Sequence, residues 1–181
     1  MTTDTQNDYL VITASGEDKV GLVDRFSGRI AESGCNIEER RMAVLGGQFA
    51  LIMLLSGPWN ALSKFEGQLK SLGEQSGLTI IHKRTQQRER TQPMMPYQVE
   101  VVAMDHPGIV RSLAGFFSQN GINIEELQTD TYPAPHTGTQ MFSVTMTVGI
   151  PADAHISTLR GNFLDYCDDL NLDASFEPAR G

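Results

Sequence analysis

The chain has 181 residues, 40% apolar and 20% charged, with a formal net charge of −8. This composition suits a folded protein with room for two modest cores and excludes a disordered or fibrous chain. No run approaches the roughly 18 uninterrupted apolar residues of a membrane span, and the polar start MTTDTQNDY lacks a basic segment followed by an apolar one, so a cytoplasmic protein is expected.

The charge is uneven: −3 over residues 1–82, +3 over 83–96 and −8 over 97–181. An acidic second half is a poor match for phosphate backbones, so direct nucleic-acid binding is not expected. The two cysteines, Cys35 and Cys167, form no CxxC and suggest neither a disulfide framework nor a zinc site. Both read as small buried residues rather than catalytic thiols.

In chain order, Tyr9–Ala14 alternates with Leu10, Ile12 and Ala14 on one face and predicts a strand. A helix follows, with the apolar stripe Leu22, Val23, Phe26 and Ile30. Asp18 stands where a helix cap belongs, and Gly34 where a left-handed C-terminal residue belongs. Asn36 and Ile37 then open a second strand. Gln48–Ser56 (QFALIMLLS) predicts a third strand, apolar on both faces, so that a second module or a second subunit is expected to cover its open side. A second helix carries Leu62, Phe65, Leu69 and Leu72, with Trp59 as a packing residue at its start, and Leu78–His82 closes the set as a strand.

The whole order then recurs. DKVGLVDRFSGRIAESGCNIEE, from Asp18, returns without a gap as DHPGIVRSLAGFFSQNGINIEE, from Asp105, and nine positions keep their identity. The matching segments are Tyr97–Ala103, the stripe Ile109, Val110, Leu113 and Phe117, the corner Gly121–Asn123, Gln140–Val148, the stripe Ile156, Leu159, Phe163 and Tyr166, and Leu172–Phe176. The hairpin before the third strand is expected to be five residues longer in the second copy, through TYPAPHTG. Each copy reads βαββαβ, the ferredoxin-like α+β arrangement of an antiparallel four-stranded sheet with both helices on one face. The domains are expected at 1–82 and 97–181, joined by a linker at 83–96, KRTQQRERTQPMMP.

Two βαββαβ units carrying D-x-x-G-(L/I)-V at the first strand-helix turn and G-x-N-I at the second strand resemble tandem ACT domains, a small-molecule regulatory module. The text YLVITASGEDKVGLV and CNIEERRMAVLGGQFALIMLLSGPWNA is similar to the ACT repressors of glycine-cleavage genes. That resemblance implies a non-catalytic regulator that senses a small amino acid, glycine being expected. It further implies that the regulator acts through a LysR-type transcriptional activator rather than on DNA itself. It also implies ligand contacts at Asp105, His106, Pro107, Gly108, Asn123 and Ile124. Asp18, Lys19, Gly21, Asn36 and Ile37 would be their counterparts in the first copy, where Lys19-Val20 departs from the usual Arg/Lys-Pro.

The residues themselves leave alternatives open. A helix N-terminus suits a carboxylate, and Asp or Asn could take an ammonium if the two corners meet; equally, Asp18 and Asp105 could be plain N-caps, and Asn36 and Asn123 could only satisfy turn backbone groups. Glu38/Glu39 and Glu125/Glu126 read as solvated strand ends before a cation site. The eight methionines read mainly as core filling. No Walker loop, G-x-S-x-G or metal-ligand spacing is present, so no enzyme, metal or cofactor is expected. Edge strands and the apolar sheet face predict a homodimer.

Overall fold

The structure, a computed structural model, describes residues 8–86 and 93–180. The chain divides into two compact units between residues 89 and 90. The first runs β1 (Asp8–Glu17), α1 (Leu22–Ser33), β2 (Asn36–Leu45), β3 (Gln48–Gly57), α2 (Trp59–Ser76) and β4 (Leu78–Thr85). The second runs β5 (Met94–Met104), α3 (Ile109–Gln119), β6 (Asn123–Pro133), β7 (Gln140–Pro151), α4 (Ile156–Asp169) and β8 (Asp173–Pro178). Each unit is one antiparallel sheet, ordered β2-β3-β1-β4 and β6-β7-β5-β8. The first and third strands of each copy are therefore central, as a split βαβ requires.

The strands overrun the expected domain edges. Lys83, Arg84 and Thr85 belong to β4, and Met94–Pro96 to β5. Backbone pairing, such as Tyr9 opposite Thr85 and Met94 opposite Pro151, extends a ladder wherever a partner strand is present, whatever the polarity of the side chains. Residues 87–92 of the expected linker lie outside the described residues.

Alternation separates the faces. In β1 and β3, Leu10, Ile12, Ala14, Phe49, Leu51, Met53 and Leu55 are buried beneath Phe26, Ile30, Leu62, Phe65, Leu69 and Leu72 of the helices. The second core is more aromatic: Phe117 and Phe163 lie 5.1 Å apart between ring centroids, and Phe163 and Phe176 5.6 Å. Such ring contacts contribute beyond area burial alone. Cys35 and Cys167 are buried free thiols, and burial, followed by the charge of Asp168, pushes Cys167 up to about 11.

Several expectations need correction. Val23 is exposed on the shoulder of α1, and Trp59, at 69% exposure, does not pack at the start of α2. Met53 and Met146 fill cores, whereas Met42 and Met104 are exposed. The second hairpin is longer by six residues, not five: Glu17 faces Gln48, while its repeat counterpart Met104 faces Met141.

Candidate functional site

The D-x-x-G turns are shaped by glycine rather than by aspartate. Gly21 (φ 89°) and Gly108 (φ 98°) occupy the N-cap positions of α1 and α3 in the left-handed region, which any side chain would strain, and no side chain caps either helix. Asp18 and Asp105 are therefore not N-caps. They stand three residues earlier, where their backbone N–H groups bond Gly47 O at 3.0 Å and Gln140 O at 2.9 Å and tie each loop to the neighbouring hairpin. Both carboxylates remain exposed. His106 Nδ1 lies 3.1 Å from Pro107 O within the exposed second loop. The first-turn N–H groups of each helix have no intrahelical acceptor and present the positive end of the helix.

Lys19 is drawn elsewhere. Its Nζ would lie 3.2 Å from a Cβ on Gly77, the C-cap of α2, and Arg25 Nη1 donates to Gln75 O at 3.3 Å. Two cations thus sit at the negative end of α2, a stabilising placement.

Asn36 and Asn123 start β2 and β6, with Ile37 and Ile124 half-buried against the cores behind them. Next comes a β-bulge at Glu38 in one unit and Glu125 in the other, a feature sequence reading missed although the paired Glu-Glu doublets fall on it. Buried Ser56 donates to Glu38 Oε1 across the first bulge. Gly149 faces Asn123 where Ser56 faces Asn36, and a Cβ there would lie 2.7 Å from Glu125 Oε1, so that carboxylate occupies the vacant side-chain position. A surface cleft of about 400 Å³ opens at this corner, lined by Ala114, Ser118, Gly121, Ile122, Asn123 and Ile124. Ala114 and Ser118 were not foreseen. Their signal was available, since both lie one residue beyond the buried positions Leu113 and Phe117 and so flank the apolar stripe.

The two halves of the expected site do not meet within a unit. Asp105–Gly108 precedes α3 and Asn123–Ile124 follows it, so a helix of 11 residues stands between them, about 17 Å at 1.5 Å per residue. The first unit repeats this with the 12 residues of α1. The sheet gives the same answer, because Asp18 follows the Glu17/Gln48 pair while Asn36 faces Ser56 at the far end of β3. A small amino acid cannot bridge that separation. The two ends also differ in kind: the loop offers N–H donors suited to a carboxylate, and the cleft, at the carbonyl end of α3, suits an ammonium. Among the described residues no group of acidic, histidine or cysteine side chains could hold a metal ion, and no helix is long and apolar enough to cross a membrane.

The fold and its glycine turns define an ACT-domain protein, and the ACT domain model matches residues 8–83. The glycine cleavage system transcriptional repressor of Escherichia coli K12 is 37% identical over 177 residues, covering 97% of this chain and 92% of that one. A crystal structure given as a glycine cleavage system transcriptional repressor matches with a TM-score of 0.72 and 26% identity over 97% of this chain and 99% of its own. An unknown protein from Galdieria sulphuraria matches with a TM-score of 0.81 and 28% identity, over 96% and 99%. The chain belongs to the ACT-domain family of glycine cleavage system transcriptional repressors.

Proposed function

We propose that the protein is a non-catalytic cytoplasmic regulator that represses glycine-cleavage genes and senses a small amino acid, glycine first, whose binding relieves the repression. The observation that carries this reading is the likeness to a repressor of that system along 97% of the chain. The amino acid is held by Asp105, His106, Pro107 and Gly108 of one ACT unit together with Asn123 and Ile124 of another, because a single unit keeps these groups apart. Two copies of the chain supply both halves. Asp18, Lys19, Gly21, Asn36 and Ile37 form the weaker counterpart, with Lys19 engaged at the end of α2.

Repression runs through a protein partner, a LysR-type activator, rather than through DNA. In support, the outward face of the second sheet carries Glu100, Glu126, Asp130, Asp173 and Glu177, the last paired with Arg160 of α4, an acidic surface that repels phosphates where an RNA-binding βαββαβ unit would stack bases. Glycine can shift this partnership only by its differential affinity for two states of the protein. The test is a glycine-cleavage reporter in cells lacking the chain. Restored, glycine-relieved repression by the wild type, with relief lost in Asn123→Ala, supports the reading. A reporter indifferent to the chain overturns it.

A further inference from the structure

The open face of the first sheet, the one turned away from the helices, has an order of residues that its partner must match. Its central rungs, read across β2-β3-β1-β4, are Glu39–Leu54–Val11–Lys83 and Arg41–Ile52–Thr13–Ile81, followed by the small rung Ala43–Ala50–Ser15–Thr79. Ile52 is 50% exposed and Ile81 67%. Leu54 and Val11 are half-buried between them. Clustered apolar side chains on a sheet face, rimmed by charge, mark an interface.

We propose that this face binds the same face of a second copy about a two-fold axis that runs along the strands, between β3 and β1. That operation keeps each rung in place and exchanges its ends. The first rung reads acid, apolar, apolar, base, so it mates with its own reverse. Glu39 meets Lys83 of the partner subunit at both edges, while Leu54 and Val11 stack on the partner's Val11 and Leu54. In the next rung Ile52 covers Thr13 of the partner subunit, and the aliphatic stem of Arg41 lies over the partner's Ile81. The small rung lets two twisted sheets approach to the usual spacing of about 10 Å. Glu39 also pairs with Arg41 on its own strand at 3.0 Å, an exposed contact of little weight.

The acidic open face of the second unit is a poorer occupant. It offers charge to Lys83 and Arg41, but its rungs Glu126–Thr147–Gln98–Glu177 and Gln128–Thr145–Glu100–Ser175 carry no apolar side chain to cover Ile52, Leu54 and Val11. This inference concerns subunit pairing alone and stands whether or not an amino acid binds at the helix corners.

The test is sedimentation equilibrium of the full chain without ligand, with far-UV circular dichroism confirming that each variant is folded. The wild type is expected to dimerise, and Ile52→Asp to weaken the dimer by about a hundredfold, since the change is made at two central positions. Glu39→Lys and Lys83→Glu are each expected to weaken it by about tenfold, and the double variant to recover most of the loss. Glu39 and Lys83 stand three strand spacings apart in one sheet, about 14 Å, so recovery reports a contact between copies. A wild type that stays monomeric, or a folded Ile52→Asp with unchanged dimer affinity, overturns the proposal. So does Glu39→Lys that tightens association, the sign of docking on an acidic face, or a double variant no better than either single one.

Discussion

The two units share one backbone plan and one pattern of buried positions, yet the central rungs of their open sheet faces differ in chemistry. Counterpart rungs are Arg41–Ile52–Thr13–Ile81 and Gln128–Thr145–Glu100–Ser175, and the next pair is Glu39–Leu54–Val11–Lys83 and Glu126–Thr147–Gln98–Glu177. In the middle of the central strands the helix-facing side carries apolar side chains, because it must fill a closed core. No such demand acts on the open side, so one copy can be adhesive and the other hydrated. Duplication of the fold thus leaves the two open faces free to diverge.

The comparison can be broken most severely at the cores. Phe163→Ala removes the ring that joins Phe116, Phe117 and Phe176 and is expected to cost about 3–5 kcal/mol. Two unfolding transitions by calorimetry, with only one shifted, would show the units to be independent. Gly16→Ala is expected to cost about 1–3 kcal/mol, because its Cβ would fall 2.7 Å from Gly77 O. The counterpart position holds Ala103, buried without such an obstacle, so Ala103→Gly should have a far smaller effect in urea titration.

Arg84 clamps the end of β4 to α2, donating to Glu66 Oε2 at 2.7 Å and Ser63 Oγ at 2.9 Å, with Asp8 3.7 Å away. Hydrogen bonding to Glu66 raises its pKa against the opposing effect of burial. Arg84→Ala should destabilise the first unit by about 1–3 kcal/mol, read by the same titration.

The last effect is one of pH and is confined to alkaline conditions. Cys167 ionises at about 11 in the folded unit, raised by burial, against an ordinary value of 9.0. The unfolded thiol therefore loses its proton first as pH rises. The resulting stability is fully present below pH 9 and falls by about 1.4 kcal/mol per unit on the way to 11. Cys167→Ala should flatten that part of the alkaline melting profile; an unchanged slope would contradict it.

Much of the fold could be read from the sequence because period and repetition reinforce each other. The stripe Phe26, Ile30 returns as Leu113, Phe117, and all four are buried. What escaped were properties of the assembled sheet. The bulges at Glu38 and Glu125 and the sixth inserted hairpin residue are matters of register between strands, which one strand's sequence does not carry. Asp18 and Asp105 resembled caps because Asp near a helix start usually is one, whereas the chain here takes three more residues to turn and caps with glycine. Convergence of the Asp and Asn corners failed for a simpler reason: α1 and α3 lie between them, and helix length sets the distance.

The central claim is that the second unit's corners bind a small amino acid. The most direct measurement is isothermal titration of the purified full chain with glycine, serine and a panel of other amino acids, beside folded Asp105→Ala and Asn123→Ala variants. The account predicts saturable binding by the wild type, weakened by at least about tenfold in each variant, because each removes one half of a two-part site. No heat for any amino acid, together with no thermal shift, would contradict it.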